Sequence, residues 1–137
     1  MTTMAEAKQA MYSAFVTAWT TTGFRYALDN EEFDPTDGEP WARCVIRHND
    51  SGQETLGRVG NRKFARLGSV LVQVQTPQNE GTTEADSLAV TVREAFEGVS
   101  LAGTTVRFQD VVVRETGPTG AWFQTVVEAN FEYDETR

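Results

Sequence analysis

The feature that most restricts the fold is an alternation of apolar and polar residues between Ala121 and Tyr133. Successive side chains of a β-strand point to opposite faces, so the pattern predicts a strand with one buried and one solvated face. The apolar positions are Phe123, Val127, Ala129, Phe131 and Tyr133, and the polar positions are Gln124, Glu128, Asn130 and Glu132. This strand would span about 40 Å at ~3.3 Å per residue. We expect a neighbouring subunit to cover it, because a long uncovered edge favours association.

A first amphipathic helix is predicted over residues 3–21, where apolar residues recur at three- and four-residue steps. Thr3 and Glu6 form a capping pattern at its start, and Gly23 is placed to end it. The apolar stripe consists of Met4, Ala7, Met11, Phe15 and Ala18.

A second helix is predicted over residues 84–97. Thr83 and Asp86 match the capping pattern, and Gly98 stands where a helix should end. Its apolar stripe consists of Ala85, Leu88, Ala89, Val92 and Phe96.

The segments between the helices alternate strand and turn patterns. Residues 41–49 and 70–77 alternate in polarity and are predicted strands. The Asn-Asp-Ser-Gly sequence at 49–52 predicts a turn, and the glycine-rich, basic segment 57–68 predicts a flexible loop.

Residues 105–115 are predicted to form a strand whose phase changes in the middle. Val106 and Phe108 have one parity, whereas Val111 and Val113 have the other. A bulge near residues 109–110 would reconcile the two halves. The Gly-Pro-Thr-Gly sequence at 117–120 then predicts the turn into the last strand. The order of elements predicts one α+β domain over residues 1–137, with a largely antiparallel sheet packed against two helices.

The residues that could carry out catalysis are few and poorly placed. His48 lies beside Asp50 at a strand end, but general acid–base catalysis needs positioned partners, and a surface histidine is the more common case. Cys44 alternates with apolar residues, so we expect a core position for it. The acidic loop at 24–38 lacks the spacing of a calcium loop. We therefore predict no enzymatic activity, no cofactor and no metal site.

A basic cluster is the most distinctive candidate site. Four of the twelve basic residues lie within nine positions, with an aromatic residue among them, a common composition of protein interfaces. The cluster comprises Arg58, Arg62, Lys63, Phe64 and Arg66. We expect it to dock on an acidic or polar protein surface, and the alternative is that these are ordinary solvated charges. Gly57 and Gly60 also match the GxxG loop of RNA-binding KH domains, although that loop joins two helices and strand-like segments flank this one.

Aromatic residues suggest a second candidate surface. Phe33 and Trp41, together with Tyr26 and Trp122, could form an exposed anchor patch, and the alternative is that they cover sheet edges or the core. The segment that carries Phe33 includes a short extended piece at residues 26–28.

The overall charge and the apolar runs narrow the class of protein further. The net charge of −8 argues against nucleic-acid binding by the surface as a whole. The single cysteine excludes an intrachain disulfide and suits a reducing cytoplasm. No apolar run approaches the ~20 residues of a membrane span, and the first residues lack a signal pattern, so we expect a soluble protein made in the cytosol.

Several motifs taken in order resemble the tail-terminator-like proteins of siphophages. The resemblance extends from the first helix to the last strand; no single piece is specific, but their conjunction is. The pieces are Asp29-Asn30 with Phe33 and Pro35; Gly38-x-Pro40-Trp41; Leu56-Gly57-x-x-Gly60-x-Arg62-x-Phe64-x-Arg66-x-Gly68; Val72-Gln73-Val74-x-Thr76-Pro77-x-x-x-Gly81; a Phe-terminated helix; and Trp122-Phe123-Gln124 to Phe131-x-Tyr133.

The resemblance implies an α+β subunit of a ring, expected to be a hexamer, without catalytic residues or cofactor. Such a ring sits on the last ring of tail tube protein, stops tube polymerisation and presents a surface to the head-completion proteins of the neck. Its place is the tail–neck junction of the virion, after assembly in the host cytoplasm. DNA would pass through the lumen without specific binding. The alternatives are another neck, head-completion or minor tail protein, or an RNA-binding module that uses segment 57–68.

Overall fold

The alternating segment near the end of the chain pairs on both sides within a five-stranded sheet. The structure, a computed structural model, describes residues 3–35, 38–78 and 81–137. In chain order the elements are α1 (Met4–Thr20), β1 (Arg25–Leu28), β2 (Trp41–Gln53), β3 (Lys63–Pro77), α2 (Thr83–Phe96), β4 (Arg107–Thr119) and β5 (Trp122–Thr136). The sheet order is β1-β2-β3-β5-β4, and only the short pair β1–β2 is parallel. The predicted α+β class, with a largely antiparallel sheet and two helices, is confirmed.

Both helices pack on one face of the sheet, and the core lies between the two layers. Every second residue of β5 from Thr125 to Tyr133 is buried, as the alternation predicted. From α1, Met11, Phe15 and Trp19 are fully buried against this face, and Trp19 Nε1 donates to the Arg25 carbonyl at 3.0 Å. Fully burying one such side chain contributes roughly 1.5–3 kcal/mol. The helices therefore leave the opposite face of the sheet, the open face, uncovered.

The helix ends follow the predicted patterns closely but not completely. Thr3 caps α1, since its Oγ1 accepts a hydrogen bond from the Glu6 backbone at 3.2 Å. The predicted cap of α2 at Thr83 was wrong by one residue, because the N-cap is Thr82 and its side chain makes no capping bond. Gly98 follows α2 with a φ of 68°, which is the left-handed conformation expected after a helix.

The predicted bulge in the fourth strand is confirmed. Phe108 pairs with Phe131 and Val111 with Ala129, so β4 has one extra residue at positions 109–110. A second irregularity, between Glu115 and Gly117, was not predicted. The turn into β5 is shorter than expected, because Thr119 already pairs with Trp122 and only positions 120–121 lie between the strands.

Two predictions for the middle of the chain were wrong. The turn at 49–52 does not exist: β2 continues to Gln53 and a bulge between His48 and Asp50 absorbs the irregular sequence. The flexible loop at 57–68 is a strand in its second half, because Lys63 onward pairs with both β2 and β5. Backbone pairing on two sides outweighs the local turn preference of glycine and asparagine.

The expected cover for the last strand is supplied by the chain itself. β3 and β4 flank β5, so neither of its edges is free. The edges of the sheet are instead β4 on one side and, on the other, the short β1 and the part of β2 beyond Cys44, where the pairing with β1 ends.

Candidate assembly surface

The strands β2 and β3 form a long hairpin whose tip, residues 54–62, we call the arm tip. Residues 54–61 are all exposed. Leu56 is 94% and Val59 is 84% exposed, far more than any other large apolar side chain in the described ranges. The sequence analysis missed both, although two apolar residues set among glycines and charges are a usable signal. Isolated apolar side chains are common on surfaces, but two at one protruding tip indicate a contact site.

Hydrogen bonds hold the arm tip in a defined shape. The backbone of Glu54 donates to the Lys63 carbonyl at 2.8 Å, and the Lys63 backbone donates to Thr55 Oγ1 at 2.8 Å. Within the turn, the Asn61 backbone donates to the Arg58 carbonyl at 2.9 Å. The tip therefore presents Leu56 and Val59 on an ordered turn.

The predicted basic cluster is divided between the two faces of the sheet. Arg58 projects from the arm tip and is exposed. Lys63 lies on the open face, whereas Phe64 and Arg66 alternate onto the face that carries the helices. The cluster is contiguous in sequence but does not form a single patch.

On the open face, Lys63 belongs to a network of ion pairs. Its Nζ lies 3.3 Å from Asp134 and 3.8 Å from Glu54. Arg107 pairs with Glu132 at 2.9 Å and with Asp134 at 3.4 Å. Oxygens of Glu54, Glu132 and Asp134 come within 4.8 Å of one another, as in a metal site. Each of the three carboxylates already pairs with Lys63 or Arg107, so ion pairing is the simpler account of the arrangement.

On the helix side, three arginines converge on a cleft of about 260 Å³ beside the arm tip. The cleft is lined by Val59, Arg62, Phe64, Arg66 and Arg137, and we call it the arginine cleft. Arg66 lies over the Phe64 ring at 5.1 Å and pairs with Glu135 at 3.0 Å. It also hydrogen-bonds the Ser51 hydroxyl. Arg137 was not predicted here, because only the register of β3 with β5 brings it next to Arg62.

Three of the four residues of the predicted aromatic patch lie together, and its role as an anchor stays a prediction. Phe33 stacks on Trp41 with ring centroids 4.6 Å apart, and Trp122 meets Trp41 edge-on at 6.3 Å. Tyr26 lies elsewhere and packs edge-on against Phe15 of α1. Arg25 lies over Phe33 at 4.6 Å. The cluster is half-buried at the end of the sheet opposite the arm tip.

The two residues considered for catalysis, His48 and Cys44, make structural contacts. His48 Nε2 lies 2.8 Å from the Tyr133 hydroxyl. Burial, with the positive charges of Lys8 and Arg66, lowers the pKa of His48. Cys44 is buried in the core, and burial raises the pKa of its thiol far above the usual range. The predicted core position of Cys44 is confirmed. The Asp50 side chain lies outside the described part, so its expected proximity to His48 stays a prediction.

Two larger clefts flank α1, and few of the side chains that line them are suited to catalysis. One of about 530 Å³ is lined by Lys8, Tyr12, Val16 and Leu28 among others. The second, of about 510 Å³, is lined by residues of α1 and of the segment after α2, among them Ala14, Val99 and Leu101. Neither lining contains histidine, aspartate or glutamate, the usual general bases, to activate the Ser13 hydroxyl that lines both clefts.

Comparison with known proteins identifies the family. The family model described as phage tail terminator protein matches residues 6–131 of the chain. The chain belongs to the phage tail terminator family. A solved structure that bears no functional name shares the fold, with a TM-score of 0.62 and 17% identity over 92% of this chain and 94% of that one. No curated protein sequence is significantly similar to the chain.

Membership of the terminator family gives this protein a structural role in the phage tail and a place among virion proteins. The family is known for structure and not for catalysis. The resemblance inferred from the ordered motifs is therefore confirmed. Neither helix in the described ranges is long and apolar enough to cross a membrane.

Proposed function

We propose that this terminator protein forms a ring of identical subunits that caps the tail tube, stops its polymerisation and provides the surface to which the head is joined. The observation that carries the proposal is the arm tip, which holds Leu56 and Val59 almost fully exposed on an ordered turn. Burying such side chains against another protein surface stabilises the complex by roughly 25 cal/mol per Å² of apolar area removed from water.

Two surfaces would make the contacts. The arm tip and the adjoining start of β3, together called the arm, supply Arg58, Arg62, Lys63, Phe64 and Arg66. The opposite end of the sheet supplies Phe33 and Trp41. Arginine and large aromatic side chains dominate the energetics of many interfaces, which supports both choices. The partners are other copies of the chain, expected to number six, the tail tube protein, and the head-completion proteins of the neck.

Electron microscopy of phage produced without this protein tests the role. A terminator should leave over-long tubes without heads, because nothing then stops tube polymerisation. Filled heads without tails would instead assign the protein to head completion, which is the nearest alternative.

Complementation with Leu56→Ser/Val59→Ser tests the arm tip. We expect this variant to fold with normal thermal stability, because both side chains are exposed, and to fail in producing joined virions. Val90→Ser is the matched control, since Val90 is an exposed valine on α2, 37% exposed, away from the arm. Normal virions from the double variant would remove the arm tip from the proposal.

The RNA-binding alternative receives less support. Residues 57–60 lie at the tip of a β-hairpin and do not join two helices as the KH loop does. Their glycines have φ values of 151° and 95°, which the turn itself requires.

A further inference from the structure

We infer that the arginine cleft of one copy binds the acidic segment 31–34 of an adjacent copy, so that this contact links successive subunits head to tail. The inference rests on the proposed ring and names the partner of one of its surfaces.

The cleft is built to receive an anion. The Arg137 backbone donates to the Arg62 carbonyl at 2.7 Å, and the Arg62 backbone donates to the Arg137 carbonyl at 2.9 Å. This reciprocal pair holds the backbones of Arg62 and Arg137 side by side, and both residues line the cleft together with Arg66. Three arginines line the cleft, and Glu135, which pairs with Arg66, supplies a carboxylate side chain beside them.

One donor in the cleft has no acceptor. The Nε of Arg62 is buried and lacks a hydrogen-bond partner in the described ranges. A buried polar donor left unpaired is unfavourable, because it has lost its hydrogen bonds to water without replacement. A carboxylate is the natural partner, because the guanidinium fork matches its two oxygens. Val59 and Phe64 add an apolar wall, so the expected ligand is an acidic peptide segment with an apolar or aromatic residue.

The chain itself contains such a segment. Residues 29–39 hold six acidic residues and no basic one, in contrast to residues 54–66, which hold four basic and one acidic. Asp29 pairs with Arg47 at 2.7 Å, and Glu31 accepts a hydrogen bond from the Leu28 backbone at 2.7 Å. Glu32 and Asp34 are exposed and form no ion pair with the described residues. They flank Phe33, whose half-buried ring stacks on Trp41 and lies under Arg25, so the segment places carboxylates on either side of an aromatic residue.

The two surfaces cannot meet within one molecule. The acidic segment lies at the start of β2, where Phe33 stacks on Trp41, and the cleft lies at its end, where Gln53 pairs with Phe64. A strand of this length separates them by about 40 Å at ~3.3 Å per residue. A contact between different surfaces of identical subunits is heterologous, and such contacts close into rings when the rotation permits.

Charge reversal tests the pairing twice, first by the loss of assembly and then by its recovery. Arg62→Glu/Arg137→Glu should abolish assembly, and Glu32→Arg/Asp34→Arg should do the same, at concentrations where the natural sequence is fully assembled. Mixing the two variants in equal amounts should restore the assembly, because each reversed cleft then meets a reversed segment and each natural cleft meets a natural one. Native mass spectrometry and light scattering measure the assembled mass, alone and with tube protein.

Glu84→Arg/Glu94→Arg is the matched control, since both residues are exposed on α2 and the change in charge equals that of the segment variant. This control should assemble normally. Assembly of either reversed variant by itself, or no recovery on mixing, would overturn the inference while leaving the ring intact. Rings that form normally but no longer bind tube protein would assign the cleft to the tube. A natural chain that forms no ring either alone or on tube protein would overturn the proposed function and this inference together.

Discussion

At the scale of single residues, the surroundings of Gly68 explain why this position of the basic segment is a glycine. It lies on β3 between His48 of β2 and Phe131 of β5. A Cβ placed on it would overlap the Arg47 carbonyl oxygen and lie 2.6 Å from Phe131 Cζ. The sequence analysis assigned this glycine to a flexible loop, but its role is steric, because two neighbouring strands approach its backbone closely.

We therefore predict that Gly68→Ala destabilises the protein by about 1–3 kcal/mol or more, the usual cost of overpacking. The overlap involves backbone that cannot move away without disturbing the β2 bulge. Gly52→Ala is the matched control, since Gly52 lies on β2 with nothing within 4 Å of an added Cβ. Urea unfolding of both variants measures the difference, and equal stability of the two would contradict the steric role.

His48 gives a prediction about pH. Burial and two nearby cations lower its pKa, so the folded protein binds this proton at a lower pH than the unfolded chain does. The stabilising contribution of neutral His48 is then complete above the unfolded pKa of about 6.5 and is lost as the pH falls towards the folded pKa.

As His48 is the only histidine, its ring resonance in NMR reports the titration directly. We expect a midpoint below that of the same residue in urea. His48→Gln should show a smaller loss of unfolding free energy between pH 7.5 and pH 5.5 than the natural sequence. A folded midpoint above the unfolded one would refute the sign of this shift.

At the scale of elements, the sequence predicted those whose pattern is internal to the segment. Both helices, the alternation of β5 and the bulge of β4 depend on periodicity that a single segment displays. The extension of β2 to Gln53 and the start of β3 at Lys63 depend on pairing between segments, which local turn preferences do not report. For the same reason, the sequence analysis identified the other basic residues of the arginine cleft but missed Arg137. It also did not predict that the basic cluster is divided between the two faces of the sheet.

The helix caps provide a matched pair of element-scale variants. Thr3→Ala removes the hydrogen bond to the Glu6 backbone and should cost about 1 kcal/mol. Thr82→Ala should cost much less, because the Thr82 side chain makes no capping bond. Chemical unfolding and helix content by circular dichroism compare the two, and a larger loss at Thr82 would show that α2 is capped differently.

At the scale of the whole molecule, the negative net charge bears on the proposed passage of DNA through a ring of this protein. The basic residues of the arm would be occupied by contacts with protein, while the chain as a whole remains at −8. Six copies would carry a formal charge of −48, six times that value. Protein surfaces of this sign repel phosphates, and the repulsion weakens as salt screens it.

The negative net charge predicts that the proposed ring does not retain DNA. Fluorescence anisotropy with a short labelled duplex should detect no binding at low salt, where attraction to phosphates would be strongest. The unassembled charge-reversal variant Glu32→Arg/Asp34→Arg leaves the arm uncovered and is less acidic, so it should bind more than the ring does. If the ring itself bound duplex with an affinity that fell steeply as salt rose, the basic arm would face the DNA. In that case the arginines of the arm would line the lumen, and the inference that protein carboxylates occupy them would be wrong.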